Sequence, residues 1–110
     1  MFIMILNVKD KNKFKAKIFK ALSDPVRIEI LEFLRNDEKC VCKIVPHLDL
    51  IQPVVSRHLK ILKNCGMVTK RKDGNKRFYS IAEPQIFKII DALNPEIMDS
   101  LTQYILEQII

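Results

Sequence analysis

The 110-residue sequence has few glycines, few cysteines and no long apolar run. With glycine confined to Gly66 and Gly74, left-handed turns are scarce, and each glycine marks a boundary between elements. Cys40, Cys42 and Cys65 are too few, and odd in number, for the disulfide framework of a small secreted domain. They point instead to reduced thiols and a cytoplasmic setting. The apolar run from Met1 to Leu6 has no basic residue before it and falls far short of the about 20 apolar residues of a membrane helix. No membrane partner is therefore expected. A glycine-rich phosphate loop, a Ser-His-Asp order and a carboxylate pair suited to acid–base work are also lacking, so the chain reads as a non-enzyme.

Acidic residues are scarce in one stretch above all. From Gln52 to Arg77 there are eight Lys and Arg against the single Asp73, a net +7, more than the +6 of the whole chain. Met1 to Lys20 nets +5, whereas Ala21 to Ile51 nets −2 and Phe78 to Ile110 nets −4. A positive field concentrated in 26 residues suits a polyanion such as DNA, although a solvated lysine-rich surface gives the same count. At 48% apolar and 29% charged residues, residues 1–110 are expected to form one globular domain.

Periodicity supplies the elements. Phe14, Ile18 and Leu22 recur every four residues, giving a first helix with a lysine-rich outer face. Asp24 and Pro25 suit the cap and first position of a second helix, whose stripe is Val26, Ile30, Phe33 and Leu34 and which ends at Asn36-Asp37. Cys40 to Leu48 reads as a short third helix with Ile44 and Leu48 inward and Pro46 tolerated near its first turn. Asp49 to Ile51 is a tight connection. Gln52 to Cys65 is the clearest helix, opened by Pro53 and closed by Gly66. Met67 to Lys72 and Lys76 to Ile81 then alternate as strands about the turn Asp73-Gly74-Asn75. Pro84 opens a helix carrying Ile86, Ile90 and Leu93. Asn94-Pro95 breaks it, and a last helix has Met98, Leu101, Ile105 and Ile109 as its stripe. The predicted fold is mainly α with a β-hairpin wing: four helices, a basic hairpin and one or two C-terminal helices. That order is a winged helix-turn-helix, with the helix-turn-helix at about 41–65 and the wing at about 67–81.

A step of 100° per residue divides the Gln52 helix into two arcs. Gln52, Pro53, Ser56, Arg57, Lys60, Lys63 and Asn64 share one, and Val54, Val55, His58, Leu59, Ile61, Leu62 and Cys65 share the other. No acidic residue lies on the helix. Gln52 can pair with adenine, Arg57 with guanine and Ser56 with several base edges, while Lys60 and Lys63 suit phosphates. The hairpin adds Lys70, Arg71, Lys72, Asn75, Lys76 and Arg77, with Phe78 and Tyr79 anchoring it to the body. Basic hairpins also serve as charge-guarded edges that resist aggregation. His58 reads as a buried histidine satisfied by a backbone oxygen, Cys65 as a packed thiol and His47 as a surface residue.

The stretches "FKALSDPVRIEILEFL", "KCVCKI", "QPVVSRHLKILKNCGMV" and "KRKDGNKRFYSI" resemble, in order, the ArsR family of winged-helix, metal-responsive bacterial and archaeal repressors. The resemblance covers roughly Phe14 to Leu93. It implies a homodimer joined through its first and last helices, with the N-terminal segment and residues 84–110 contributing. It also implies a partly palindromic double-stranded DNA operator, released when an inducer binds. Cys40 and Cys42 match the family's thiolate sensor motif, which implies As(III), Cd(II), Pb(II) or Zn(II) as inducer. The third cysteine of some members is replaced here by Val45. The region from Pro84 to Ile110 has no histidine for the family's other zinc site. Redox sensing by the same thiols, a winged helix that binds proteins of the transcription machinery, and a non-specific architectural DNA binder are the competing readings.

Overall fold

A computed structural model describes residues 2–109, with side chains from Met4 onward. A 3-10 turn at Phe2–Ile5 precedes α1 (Val8–Leu22), α2 (Pro25–Leu34), β1 (Lys39–Cys40), α3 (Val41–Leu48) and α4 (Gln52–Asn64). The hairpin β2 (Val68–Asp73) and β3 (Lys76–Ile81) follows, then α5 (Ile86–Ala92) and α6 (Pro95–Ile109). The winged helix-turn-helix is therefore present. Met1 and Ile110, the outermost residues assigned above to the dimer contact, lie outside the described residues.

Local chemistry sets the boundaries. Asp24 Oδ1 accepts the Val26 and Arg27 amides at 2.8 and 3.4 Å, and Pro25 needs no amide partner in the first turn of α2. At the other end of the unit, Gly66 has φ +76° and follows the Cys65 cap of α4, so the chain turns at once into the hairpin. Gly74 occupies the first central position of a two-residue loop at φ +61°, between paired Asp73 and Lys76, where glycine avoids the Cβ clash.

The core lies where α2, α3 and α4 meet the base of the hairpin. Ile30, Leu31, Leu34, Ile44, Val55, Leu59 and Leu62 are its fully buried side chains, each contributing roughly 1.5–3 kcal/mol by leaving water. Met67, Val68 and Tyr79 extend it under the wing.

Four details differ from expectation. Cys40 does not begin a helix: it ends β1 and caps α3. Lys39 and Cys40 pair antiparallel with Tyr79 and Phe78, making a three-stranded sheet in the order β1-β3-β2. Pro46 is the sixth residue of α3 rather than part of its first turn. The helix ends two residues later, at Leu48, and Asp49 caps it with φ +54°. Pro84 lies in a turn ahead of α5, which begins at Ile86. Leu93 caps α5 and is exposed rather than inward.

No residue of α6 is buried. Met98, Leu101 and Ile105 are 47%, 52% and 59% exposed. The radius of gyration is 16.3 Å, against about 13 Å for a compact chain of this length. The excess fits helices that project from the core without a partner in the same chain.

Candidate nucleic-acid interface

Helix α4 is amphipathic as its sequence requires. Val55, His58, Leu59 and Leu62 are buried, whereas Gln52, Pro53, Arg57, Lys60, Lys63 and Asn64 are exposed and Ser56 is half-buried. The hairpin is held to the end of this helix by the Met67 amide, which donates to Leu62 O at 3.0 Å, and by the Ala82 amide, which donates to Met67 O at 2.9 Å. Tyr79 is buried beneath the wing, and burial pushes its phenol above the ordinary range despite the opposing charge of Arg77.

The decisive question is whether helix and wing face the same way. They do. Ser56, Lys60, Lys63 and Asn64 of α4 share the walls of one cleft, about 290 Å³, with Lys70 and Arg77 of the wing. A neighbouring cleft of about 300 Å³ joins Gln52, at the start of α4, to Asn75, Lys76 and Arg77 at the wing tip. Neither is lined by an acidic residue. Lys72 is exposed on β2, and Arg57 projects from the outer face of α4. The donors and cations that line these two clefts, from α4 and from the wing, thus face the same way.

Arg71 departs from the pattern. Its Nη2 donates to Glu38 Oε1 at 2.6 Å and its Nε to Oε2 at 3.3 Å, and its guanidinium lies 4.5 Å from the Phe78 ring centroid. The Glu38 hydrogen bond raises the Arg71 pKa above its ordinary value. Of the twelve residues assigned to DNA, Arg71 is the one in an ion pair among the described residues. It latches the wing to the turn before β1. Glu38 was missed because it stands 33 residues away in sequence and no local spacing announces it.

The three cysteines also differ from expectation. Cys40 and Cys42 are joined by a disulfide rather than held as reduced thiols. Cys40 Sγ also accepts the Cys42 amide at 3.0 Å, and the pair lines the cleft between Gln52 and the wing tip. Among the described residues no group of three or more His, Cys, Asp or Glu is placed to hold a metal ion. Cys65 is exposed and free, not packed, because it is the cap of α4 and no longer follows the helical turn.

The histidines complete the account. His58 is buried, but its partner is a side chain: Arg27 Nη1 lies 3.1 Å from Nδ1. His47 stacks on Phe33, with centroids 3.8 Å apart and planes 7° from parallel.

Residues 24–70 match the model of the family described as bacterial regulatory protein, arsR family. The arsenical resistance operon repressor of Staphylococcus aureus is 43% identical over 77 residues, covering 70% of this chain and 74% of the repressor. The chain belongs to the ArsR family. An HTH-type transcriptional regulator of Methanocaldococcus jannaschii is 44% identical over 88 residues, which span 76% of this chain and 99% of that protein. Among solved structures, Rv0081 of Mycobacterium tuberculosis superposes with a TM-score of 0.73 at 33% identity, over 86% of this chain and 95% of that one. Membership makes the chain a DNA-binding transcriptional regulator, not an enzyme.

Proposed function

We propose that this ArsR-family chain is a cytoplasmic, homodimeric repressor of a partly palindromic duplex operator. Gln52, Ser56 and Arg57 read base edges, with Pro53 fixing the start of the reading helix. Lys60, Lys63, Lys70, Lys72, Asn75, Lys76 and Arg77 hold the backbone. The shared, acid-free cleft between α4 and the wing carries this reading. Arg71 is reassigned from DNA contact to support of the wing, since its donors are engaged by Glu38.

The homodimer is supported by the apolar surface of the opposite end. Phe14, Ile18 and Phe19 of α1 and Met98, Leu101 and Ile105 of α6 are exposed. An apolar groove of about 600 Å³ runs between Phe19, Ile89, Leu93 and Ile97. Contiguous apolar surface on this scale marks an interface, and a two-fold pair can set its reading helices about 34 Å apart, one turn of duplex. Among the described residues no helix is long and apolar enough to cross a membrane.

For release from the operator, the disulfide favours thiol–disulfide exchange at Cys40 and Cys42 over a resident soft metal. Reduction by two thiols takes two electrons and two protons into the pair and yields one external disulfide. It would alter both the cap of α3 and the residue that pairs with Phe78 of the wing.

One experiment tests the whole reading. A duplex is selected by the protein from a random-sequence pool, then competed against unselected duplex at fixed salt. The selected duplex is expected to bind at least about 10³-fold tighter. Its log affinity should fall with log salt at a slope near −5 to −9, for about six to ten phosphate contacts in the dimer. Equal affinity for both duplexes would leave an architectural binder, and a flat salt dependence would remove the DNA reading. The same assay with and without dithiol reductant or arsenite, repeated on Cys40→Ser with Cys42→Ser, assigns release to these sulfurs only if the variant loses the response.

A further inference from the structure

The inner face of α4 is almost wholly apolar, and apolar packing is non-directional. Val55, Leu59 and Leu62 keep the helix against the core but do not by themselves fix its roll about its own axis. One side chain of α4 makes a directional contact. Among the described residues, the pairing of His58 with Arg27 is the single side-chain hydrogen bond that this helix forms. His58 is 8% exposed. Because a guanidinium only donates, Nδ1 is the acceptor of this pair.

The other donors of Arg27 are directed elsewhere. Nε donates to Ala21 O at 2.6 Å and Nη2 to Lys20 O at 3.2 Å, both carbonyls of the last turn of α1, where intrahelical partners run out. A cation there also suits the helix dipole. The Asp24 carboxylate stands 3.9 Å from Nη1. Burial pushes that carboxyl up, but the Val26 and Arg27 amides, followed by the charge of Arg27, outweigh it and keep the pKa below the ordinary value. A single planar fork, itself seated in α2, therefore ties the carboxyl end of α1 to the buried side of the DNA-reading helix. A crevice lined by Lys17 and Lys20 of α1 and by Ile61 and Cys65 at the end of α4 opens beside it, with Arg27 in its wall.

We propose that Arg27 is a positioning residue for DNA recognition: through His58 Nδ1 it fixes the roll of α4 relative to α1, the helix that carries part of the apolar dimer face. This rests on the operator-binding reading above. Arg57 directly precedes His58 on the helix, so a small roll about the His58 contact displaces the guanidinium aimed at a base. Neither Arg27 nor His58 needs to touch DNA.

The test uses the dimeric protein and the duplex selected by the wild type. His58→Leu keeps apolar volume but removes the acceptor, and operator affinity is expected to fall about tenfold, the order of a lost hydrogen bond to a charged group. His58→Asn places a carbonyl oxygen near the Nδ1 position and should recover most of that loss. Arg27→Lys, which lacks the fork, should reproduce the loss, and combining it with His58→Leu should cost no more than either alone. The salt slope should stay at the wild-type value in every variant, because no phosphate contact is removed. Circular dichroism and dimer mass verify folding. If His58→Leu does not fold, Arg27→Lys carries the test, with His58→Asn as the expected near-wild-type control. Wild-type affinity in His58→Leu or Arg27→Lys overturns the proposal. So does an Asn variant as weak as the Leu variant, or a loss accompanied by a shallower salt slope. A wild-type protein that selects no duplex defeats the operator reading instead.

Discussion

The two ends of the molecule are built on opposite principles. The α4–wing end is polar, cationic and complete within one chain: its donors are spread over exposed positions, while the scaffold beneath is fully buried. The α1–α5–α6 end carries an exposed apolar stripe beside the lysines of α1. Its helices present Phe14, Phe19, Leu101 and Ile105 outward, uncovered by any of the described residues. Water tolerates the cationic face indefinitely, but removing the apolar one from water is favourable by roughly 25 cal/mol per Å². In the dimer reading, assembly is therefore expected before DNA binding, and it fixes the geometry that DNA meets.

The comparison breaks most sharply if the ends can be disabled separately. Replacing Arg57 and Lys60 with alanine should lower specific operator affinity by about a hundredfold or more, since each base-reading pair is worth about 1–3 kcal/mol and occurs twice in a dimer. Sedimentation should still show a dimer. Leu101→Asp with Ile105→Asp should do the reverse and yield a folded monomer, because no residue of α6 contributes to the core. That monomer should bind the operator at least about tenfold more weakly, as the linkage of two half-sites is lost. A monomeric Arg57/Lys60 variant, or a dimeric Leu101/Ile105 variant, would show that the ends are not separate devices.

A finer cut runs within the cationic end. Lys76 stands free at the wing tip beside Gln52, whereas Arg71 is bound by Glu38. Lys76→Gln is expected to make the salt dependence shallower by about 0.9 per subunit. Arg71→Gln should weaken binding while leaving that slope unchanged, because it loosens the wing without removing a phosphate contact. Identical slope changes would return Arg71 to the DNA surface.

Local pattern explains what could be read from sequence. The turn at Gly74, the Asp24-Pro25 start of α2 and the two arcs of α4 as far as Asn64 are short-range signals realised at their expected residues; the expected alternation of β2 is not, since it is exposed beyond Val68. The errors are of different physical kinds. Cys65 and Leu93 were placed inward by continuing the helical step one residue too far, onto caps whose backbone has left the helix. Others depend on partners distant in sequence: β1 needs β3, Arg71 needs Glu38, and His58 needs Arg27; Pro46 and Pro84 are local shifts of a helix boundary. An amphipathic wheel shows which face of α4 is buried but not which polar group meets it there. At Cys40 and Cys42, spacing alone does not distinguish a dithiol from a disulfide.

The smallest expected effect concerns the joint between the two ends. Arg35, the cap of α2, donates to both oxygens of Asp91 on α5 at 2.9 and 2.8 Å and lies 4.1 Å from the Phe87 ring centroid. The Arg35 hydrogen bonds hold the Asp91 carboxyl below its ordinary value of 3.8. A depressed folded-state pKa contributes stability that is present above the unfolded value and is lost as pH falls through the folded one. Asp91→Asn should therefore melt slightly below the wild type at neutral pH, with the gap closing below about pH 4 as the wild-type carboxylate takes up its proton. The gap should also narrow in high salt, because this pair is exposed and screened. A melting difference that persists unchanged at low pH would mean that Asp91 contributes shape to α5 rather than charge, and that the aromatic contact of Arg35 with Phe87 is what joins the polar end to the apolar one.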